Sequence, residues 1–176
     1  VQRMRLASLL AREHGAGVTA LYATLPVSIQ YASTLALGAE VAPLMLEYES
    51  ERLARAKAQF DQAAPALTPQ PVWVESAGEP VHCMARQALC ADLVILGQRD
   101  PRGETVSDVP VDFVEAVVME SGRPVLVVPH YATVGEAPAR IAVIAWTATR
   151  EAARAVTAAL PLLQRAWQVH LATWPD

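Results

Sequence analysis

Two short apolar runs, separated by a polar loop and an amphipathic segment, constrain the fold of this chain more than any other feature. The runs are residues 93–96 and 125–128, and each has the length of a buried parallel strand. Between them, Phe113 and Val117 lie four residues apart, as they would on one face of a helix. The sequence therefore predicts a strand, a crossover helix over residues 110–121 and a second parallel strand.

The loop after the first of these strands is the predicted ligand site. Gly97 allows the backbone to turn sharply at the end of the strand. In open parallel sheets, ligands bind in the crevice beyond the carboxyl ends of the strands. We therefore expect any ligand to contact residues 97–109.

The rest of the chain repeats the same alternation of helices and strands. Apolar spacing and proline or glycine boundaries predict helices over residues 1–14, 43–64, 81–89 and 150–165, with a further short helix over 31–37. Strands are predicted over residues 18–24, 72–75, 92–96, 125–128, 141–145 and 168–173. Pro65, Pro69 and Pro71 place the strand 72–75 near a sheet edge, because proline is excluded from central ladders.

The alternation restarts after a linker, which predicts two units. Residues 1–130 form an α/β domain, residues 131–139 a linker with Gly135 and Pro138, and residues 140–176 a partial second unit. A weak repeat, Ala-Thr-Leu-Pro at 23–26 and Ala-Thr-Trp-Pro at 172–175, supports the duplication. The first unit lacks the strand expected before its opening helix. Either the sequence is part of a longer chain, or strand 141–145 of the same or another copy fills the gap.

Composition excludes several classes of function. The chain has 14 basic and 18 acidic residues and a net charge of −4, so it lacks the excess of positive charge with which proteins bind nucleic acid. No apolar stretch would span a bilayer and no signal peptide is recognisable, so we expect a cytoplasmic protein without membrane contact. The two cysteines and four histidines show no metal-binding spacing.

Several segments of the sequence resemble the universal stress protein family, in particular its tandem two-domain bacterial members. They are Leu-Ala-Arg-Glu-His-Gly-Ala at 10–16, Ala-Asp-Leu-Val-Ile-Leu-Gly at 91–97, Ser-Gly-Arg-Pro-Val-Leu-Val-Val-Pro at 121–129 and Ala-Trp-Thr-Ala-Thr-Arg-Glu-Ala at 145–152. The resemblance implies a flavodoxin-like or Rossmann-like open parallel sheet, of strand order 3-2-1-4-5, with helices on both faces. It also implies a homodimer, or pairing of domains within one chain, through the strand Val125, Leu126, Val127 and Val128.

Some members of this family bind an adenine nucleotide with a motif of glycine, two residues, glycine, nine residues, glycine and then serine or threonine. Gly97 matches the first position, but Asp100, Pro110 and Val111 stand at the other three. Motif glycines let main-chain N–H groups approach phosphate, and the hydroxyl donates to it. Asp100 instead adds negative charge, and Pro110 has no N–H.

The other charged residues of the loop support opposite conclusions about anion binding. Asp108 and Asp112 place carboxylates where a helix N-terminus would attract an anion. Arg99 and Arg102 could pair with phosphate oxygens, or they could be solvated or bridge to neighbouring acids, namely Asp100, Glu104 and Asp108. The candidate nucleotide-contacting residues are therefore Gly97, Gln98, Arg99, Asp100, Arg102, Asp108, Pro110 and Val111.

These observations leave three hypotheses for function. The first is a non-enzymatic stress-response module that does not bind ATP and acts through dimerisation or a small ligand. The second is a nucleotide-binding or slow ATP-hydrolysing module in which Arg99 and Arg102 replace the glycine motif. The third is a structural domain that recruits a partner protein. The sequence shows no set of catalytic residues, and only the second hypothesis implies a cofactor, ATP.

Overall fold

The computed structural model describes residues 2–24, 41–99, 109–133 and 141–174 of the chain. The chain divides into two compact units, Val1–Ala132 and Thr133–Asp176. The short helix predicted over residues 31–37 and most of the predicted linker lie outside the described residues.

The first unit alternates helices and parallel strands in its described parts. In chain order, its elements are α1 (Gln2–His14), β1 (Thr19–Thr24), α2 (Val41–Ala63), β2 (Val72–Ala77), α3 (Pro80–Ala88), β3 (Val94–Gly97), α4 (Phe113–Glu120) and β4 (Val125–Val128). A short 3₁₀ turn, Ala64–Ala66, follows α2 and ends at the predicted proline boundary. The predicted α/β alternation is therefore present.

The strand predicted over residues 92–96 forms two residues later than expected. The N–H group of Val94 donates to the carbonyl of Pro124 at 3.0 Å, and the register with β4 runs from Val94 to Gly97. Before that point the chain is still leaving α3, where Ala91 N–H donates to the Ala88 carbonyl. The hydrogen-bonded ladder, and not the apolar run, therefore sets where β3 begins.

The described strands form parallel pairs, so they do not by themselves test the single open sheet that the family resemblance implies. β1 pairs with β2 from Thr19 and Val72 onward, and β3 pairs with β4. In the predicted order 3-2-1-4-5 these two pairs are the flanks, joined by a strand between β1 and β3. Within the described residues no strand pairs with both, so the two ladders stay separate.

The core of the first unit lies where α3 and α4 pack together against β3. Its buried residues are Val81, Ala88, Val94, Leu96 and Val117, and Val117 has no exposed surface. Met84, Phe113, Val114, Ala116 and Val125 pack around this cluster. Burial of these apolar side chains fixes β3, and hence the position of Gly97 at its end.

A tight corner joins α4 to β4. Gly122 takes the left-handed conformation, with φ of +61°, which glycine adopts without strain. The Arg123 guanidinium donates to the Leu89 carbonyl at 2.9 Å, just beyond the end of α3. Ser121 is buried, and its hydroxyl oxygen accepts from Arg123 N–H at 3.4 Å. These contacts explain the Ser-Gly-Arg-Pro sequence at this corner.

The second unit consists of β5 (Ile141–Trp146), α5 (Arg150–Leu163) and β6 (Gln168–Thr173). The two strands are parallel, with Ile141 opposite Gln168. Along β5, half-buried Ala142, Ile144 and Trp146 alternate with exposed residues. Thr149 caps α5 by accepting from Ala152 N–H at 3.2 Å.

None of the helices in the described ranges combines the length and the apolar character that a membrane crossing needs.

Candidate functional site

The predicted site lies where β3 ends beside β4. Gly97 is opposite Val128 in the parallel register. The ladder continues one residue beyond β3, because the N–H group of Gln98 donates to the Val128 carbonyl at 2.8 Å. The first main-chain donor after Gly97 is therefore already bonded to protein.

The Gln98 side chain ties the two strand ends together. Its amide oxygen accepts from the N–H group of His130 at 3.3 Å, and His130 follows β4 by two residues. The His130 ring also packs edge-to-face against Tyr131, with 4.7 Å between ring centroids. The sequence predicts Gln98 as a candidate nucleotide contact. In the structure, both its main-chain N–H group and its side-chain amide oxygen are hydrogen-bonded within the protein.

The chain enters α4 through a turn that holds the last two motif positions. Pro110 and Val111 are both exposed, and Val111 exposes 78% of its surface. The Pro110 carbonyl accepts from Phe113 N–H at 3.2 Å, so the first N–H group of α4 is used within the turn. The helix predicted from Pro110 accordingly begins three residues later, at Phe113.

Asp112, which the sequence predicts to lie near the N-terminus of this helix, is its N-cap, but its carboxylate makes no capping hydrogen bond. It therefore contributes negative charge at this helix end without satisfying the main chain there. Asp100, Arg102 and Asp108 lie outside the described residues. Arg99, the remaining candidate, is exposed.

The sequence did not indicate two residues that lie near strand ends, Glu79 after β2 and Arg3 beside the end of β3. Glu79 closes the N-terminus of α3, where its carboxylate accepts from Val81 N–H at 3.0 Å and from His82 N–H at 2.8 Å. The only signal was Pro80 at the first helical position. Arg3 of α1 lies against Gly97, so close that a Cβ atom at residue 97 would be 3.0 Å from Arg3 Cδ. No local pattern in the sequence predicts this contact.

The predicted interface strand is partly covered by its own unit. β4 pairs with β3, and Val128 is buried, whereas Val127 exposes 37% of its surface. Among the described strands, only β3 pairs with β4, which leaves one edge of β4 open. Leu126 and Val125 are half-buried.

Metal chemistry receives no support from side-chain placement. Over the described ranges, no group of three or more His, Cys, Asp or Glu side chains could hold a metal ion. Cys83 is buried and Cys90 is exposed, and both are free thiols.

Comparison with known families identifies the chain. The family model described as the universal stress protein family matches residues 4–129, which is more than half of the chain. A comparison with curated proteins finds no significant match. The matched range runs from the first turn of α1 to the end of β4, and it includes Gly97 and the turn into α4. The chain therefore belongs to the universal stress protein family, whose members have a flavodoxin-like α/β fold.

Proposed function

We propose that this chain is a non-enzymatic, cytoplasmic stress-response module of the tandem bacterial type, whose crevice does not bind ATP. The observation that carries this proposal is the hydrogen bond from Gln98 N–H to the Val128 carbonyl, at 2.8 Å. A phosphate-binding turn after a strand depends on main-chain donors aimed at the ligand. Here the donor next to Gly97 belongs to the ladder instead.

The entrance to α4 supports the same proposal. The N–H group of Phe113 donates to the Pro110 carbonyl, and Pro110 itself has no N–H group. Val111 replaces the hydroxyl residue of the nucleotide motif and is exposed. The Asp112 carboxylate, which makes no capping hydrogen bond, places negative charge at the helix terminus and would repel an anion there. A triphosphate would therefore lose main-chain donors and meet negative charge on this side.

Isothermal titration calorimetry with ATP and ADP tests the proposal. We expect no binding heat for the unchanged chain. The matched comparison is a variant with the motif restored, Asp100→Gly, Pro110→Gly and Val111→Ser, in which regained binding would show that the lost residues are responsible. Micromolar ATP affinity in the unchanged chain would contradict the proposal.

Arg99 gives a second candidate function, a nucleotide-binding or slowly ATP-hydrolysing module. This side chain is exposed two residues beyond Gly97, where it could pair with phosphate oxygens. In this version, replacing Arg99 and Arg102 by alanine abolishes ATP binding in the same titration. Binding that survives the double replacement would exclude it.

Assembly through β4 completes the proposal. Universal stress proteins commonly form homodimers, and we propose that this chain does so, or pairs its two units, through the open edge of Val125–Val128. Val127 is the exposed apolar residue of that strand. Parallel or antiparallel pairing there would satisfy main-chain groups that β3 leaves unpaired.

We also propose that β2-β1 and β3-β4 are the flanks of one sheet of order 3-2-1-4-5, with a further strand between β1 and β3. In support, both pairs are parallel, and β1 and β3 each bond to one strand among the described residues. The second unit has the β-α-β order with which such a domain begins. Slow amide hydrogen exchange along both edges of β3 supports this arrangement, and fast exchange along one edge contradicts it.

A further inference from the structure

Arg3 and Gly97 are in close contact. A Cβ atom at residue 97 would lie 3.0 Å from Arg3 Cδ, 3.2 Å from Nε and 3.5 Å from Cζ. The first two distances are shorter than ordinary van der Waals contact. Glycine at residue 97 therefore leaves room for the Arg3 side chain to lie over the end of β3.

The charge on Arg3 is available to a ligand. Arg3 is exposed, and its guanidinium group makes no hydrogen bond or ion pair to any other residue that the structure describes. Glu79, an acid that follows the end of β2, is already bonded to two N–H groups of α3. The end of β3 thus presents the Arg3 guanidinium group, whereas the N–H group of Gln98 beside it donates to the Val128 carbonyl.

We propose that Arg3 is the anion-binding residue of this crevice and that its ligand carries a compact oxyanion, a single phosphate group or a carboxylate. A guanidinium group offers a planar pair of N–H donors that matches two oxygens of either group. One such fork matches the two oxygens of a small oxyanion. This inference rests on the proposed function, in which main-chain N–H groups do not bind the ligand.

Gly97 then has a different role from a phosphate-binding glycine. It is a positioning residue that acts through Arg3, because its contribution is the space that the Arg3 side chain occupies. Both residues should therefore contribute to binding as one unit. A glycine that contacts phosphate through its own main chain would contribute independently of Arg3.

NMR titrations of the full chain with inorganic phosphate and with acetate, at constant ionic strength, test the role of Arg3. Arg3→Ala should weaken binding about fivefold, the factor expected for an exposed ion pair. Arg5→Ala is the matched control, because Arg5 is exposed on the same helix and should leave the affinity unchanged. A response to phosphate alone identifies a phosphate ligand, and a response to acetate alone a carboxylate. Failure of both anions to bind, or equal binding by Arg3→Ala, overturns the inference.

A double-mutant cycle tests the role of Gly97. Because the flexible Arg3 side chain need shift by only a few tenths of an ångström, Gly97→Ala should weaken anion binding less than Arg3→Ala, and the double variant should bind no more weakly than Arg3→Ala alone. Additive losses would overturn the assigned role. Residue 97 does not adopt a left-handed conformation, so alanine is compatible with its backbone. ATP binding that is independent of Arg3 would contradict the proposed function, whereas Arg3-independent phosphate binding without ATP binding contradicts this inference alone.

Discussion

At the scale of single residues, Val117 contributes most directly to the first unit, because its side chain has no exposed surface. Val117→Ala removes two methyl groups from the cluster around β3 and leaves a cavity, so we expect a loss of about 2 kcal/mol in the free energy of unfolding. Chemical denaturation measures this loss. Val118→Ala is the control, since Val118 is 49% exposed and should change stability by less than about 0.5 kcal/mol. Equal losses would contradict the assigned core.

Glu79 stabilises α3 by bonding to two N–H groups that the helix itself cannot satisfy. Glu79→Ala should lower the free energy of unfolding by about 1 kcal/mol, the usual effect of losing an N-cap. Urea denaturation measures this loss of stability. Glu120→Ala is the control, because Glu120 is exposed at the C-terminal end of a different helix, α4. An unchanged midpoint in Glu79→Ala would mean that this cap does not hold the helix.

Arg150 lowers the pKa of Glu151 by donating a hydrogen bond to its carboxylate, with Nε 2.6 Å from Oε1. A pKa that is lower in the folded state favours folding above the ordinary pKa of glutamate, and this contribution fades as pH falls through the lowered value. Arg150→Ala should raise the pKa of Glu151, measured by NMR titration. Arg165→Ala, which does not contact Glu151, should leave that pKa where it is. No change in Arg150→Ala would contradict the assigned cause.

At the scale of elements, local patterns predicted the described helices and strands well, and long-range contacts account for the differences. Apolar periodicity and proline boundaries located α3 and β4. The start of β3 and the start of α4 depend on hydrogen bonds to Pro124 and Pro110, which a hydrophobic pattern does not encode. Gly97 was predicted to be part of a site, but its contact with Arg3 joins elements far apart in the sequence, which no local pattern indicates.

The open edge of β4 gives the prediction at this scale. If assembly uses β4, Val127→Asp should convert a dimer to a monomer, because it places a charge in the middle of an apolar strand. Light scattering coupled to size-exclusion chromatography measures the mass. Val72→Asp is the matched control, since Val72 is 61% exposed on β2 and is not part of the proposed interface. A dimer that survives Val127→Asp, or is lost equally in both variants, would contradict assembly through β4.

At the scale of the whole molecule, the chain belongs to the universal stress protein family, and we propose that its crevice does not bind ATP. Family membership follows from the match over residues 4–129, and the α/β alternation agrees with it. The loss of nucleotide binding is a proposal that rests on the hydrogen bonds at the ends of β3 and at the start of α4. These bonds could not be predicted from the motif alone. The sequence shows only that the motif glycines are absent, and it does not show which carbonyl groups of the protein accept from the N–H groups that would otherwise bind phosphate.

The most direct test of this central claim is an NMR titration of the full chain with ATP, observing the backbone N–H groups of Gln98, Phe113 and His130. In the structure these groups donate to Val128, Pro110 and Gln98 respectively. If the protein keeps these bonds, their resonances show no saturable shift as ATP is added. Saturable shifts of the three N–H resonances would mean that these groups donate to the nucleotide instead of to the protein, and would contradict the account.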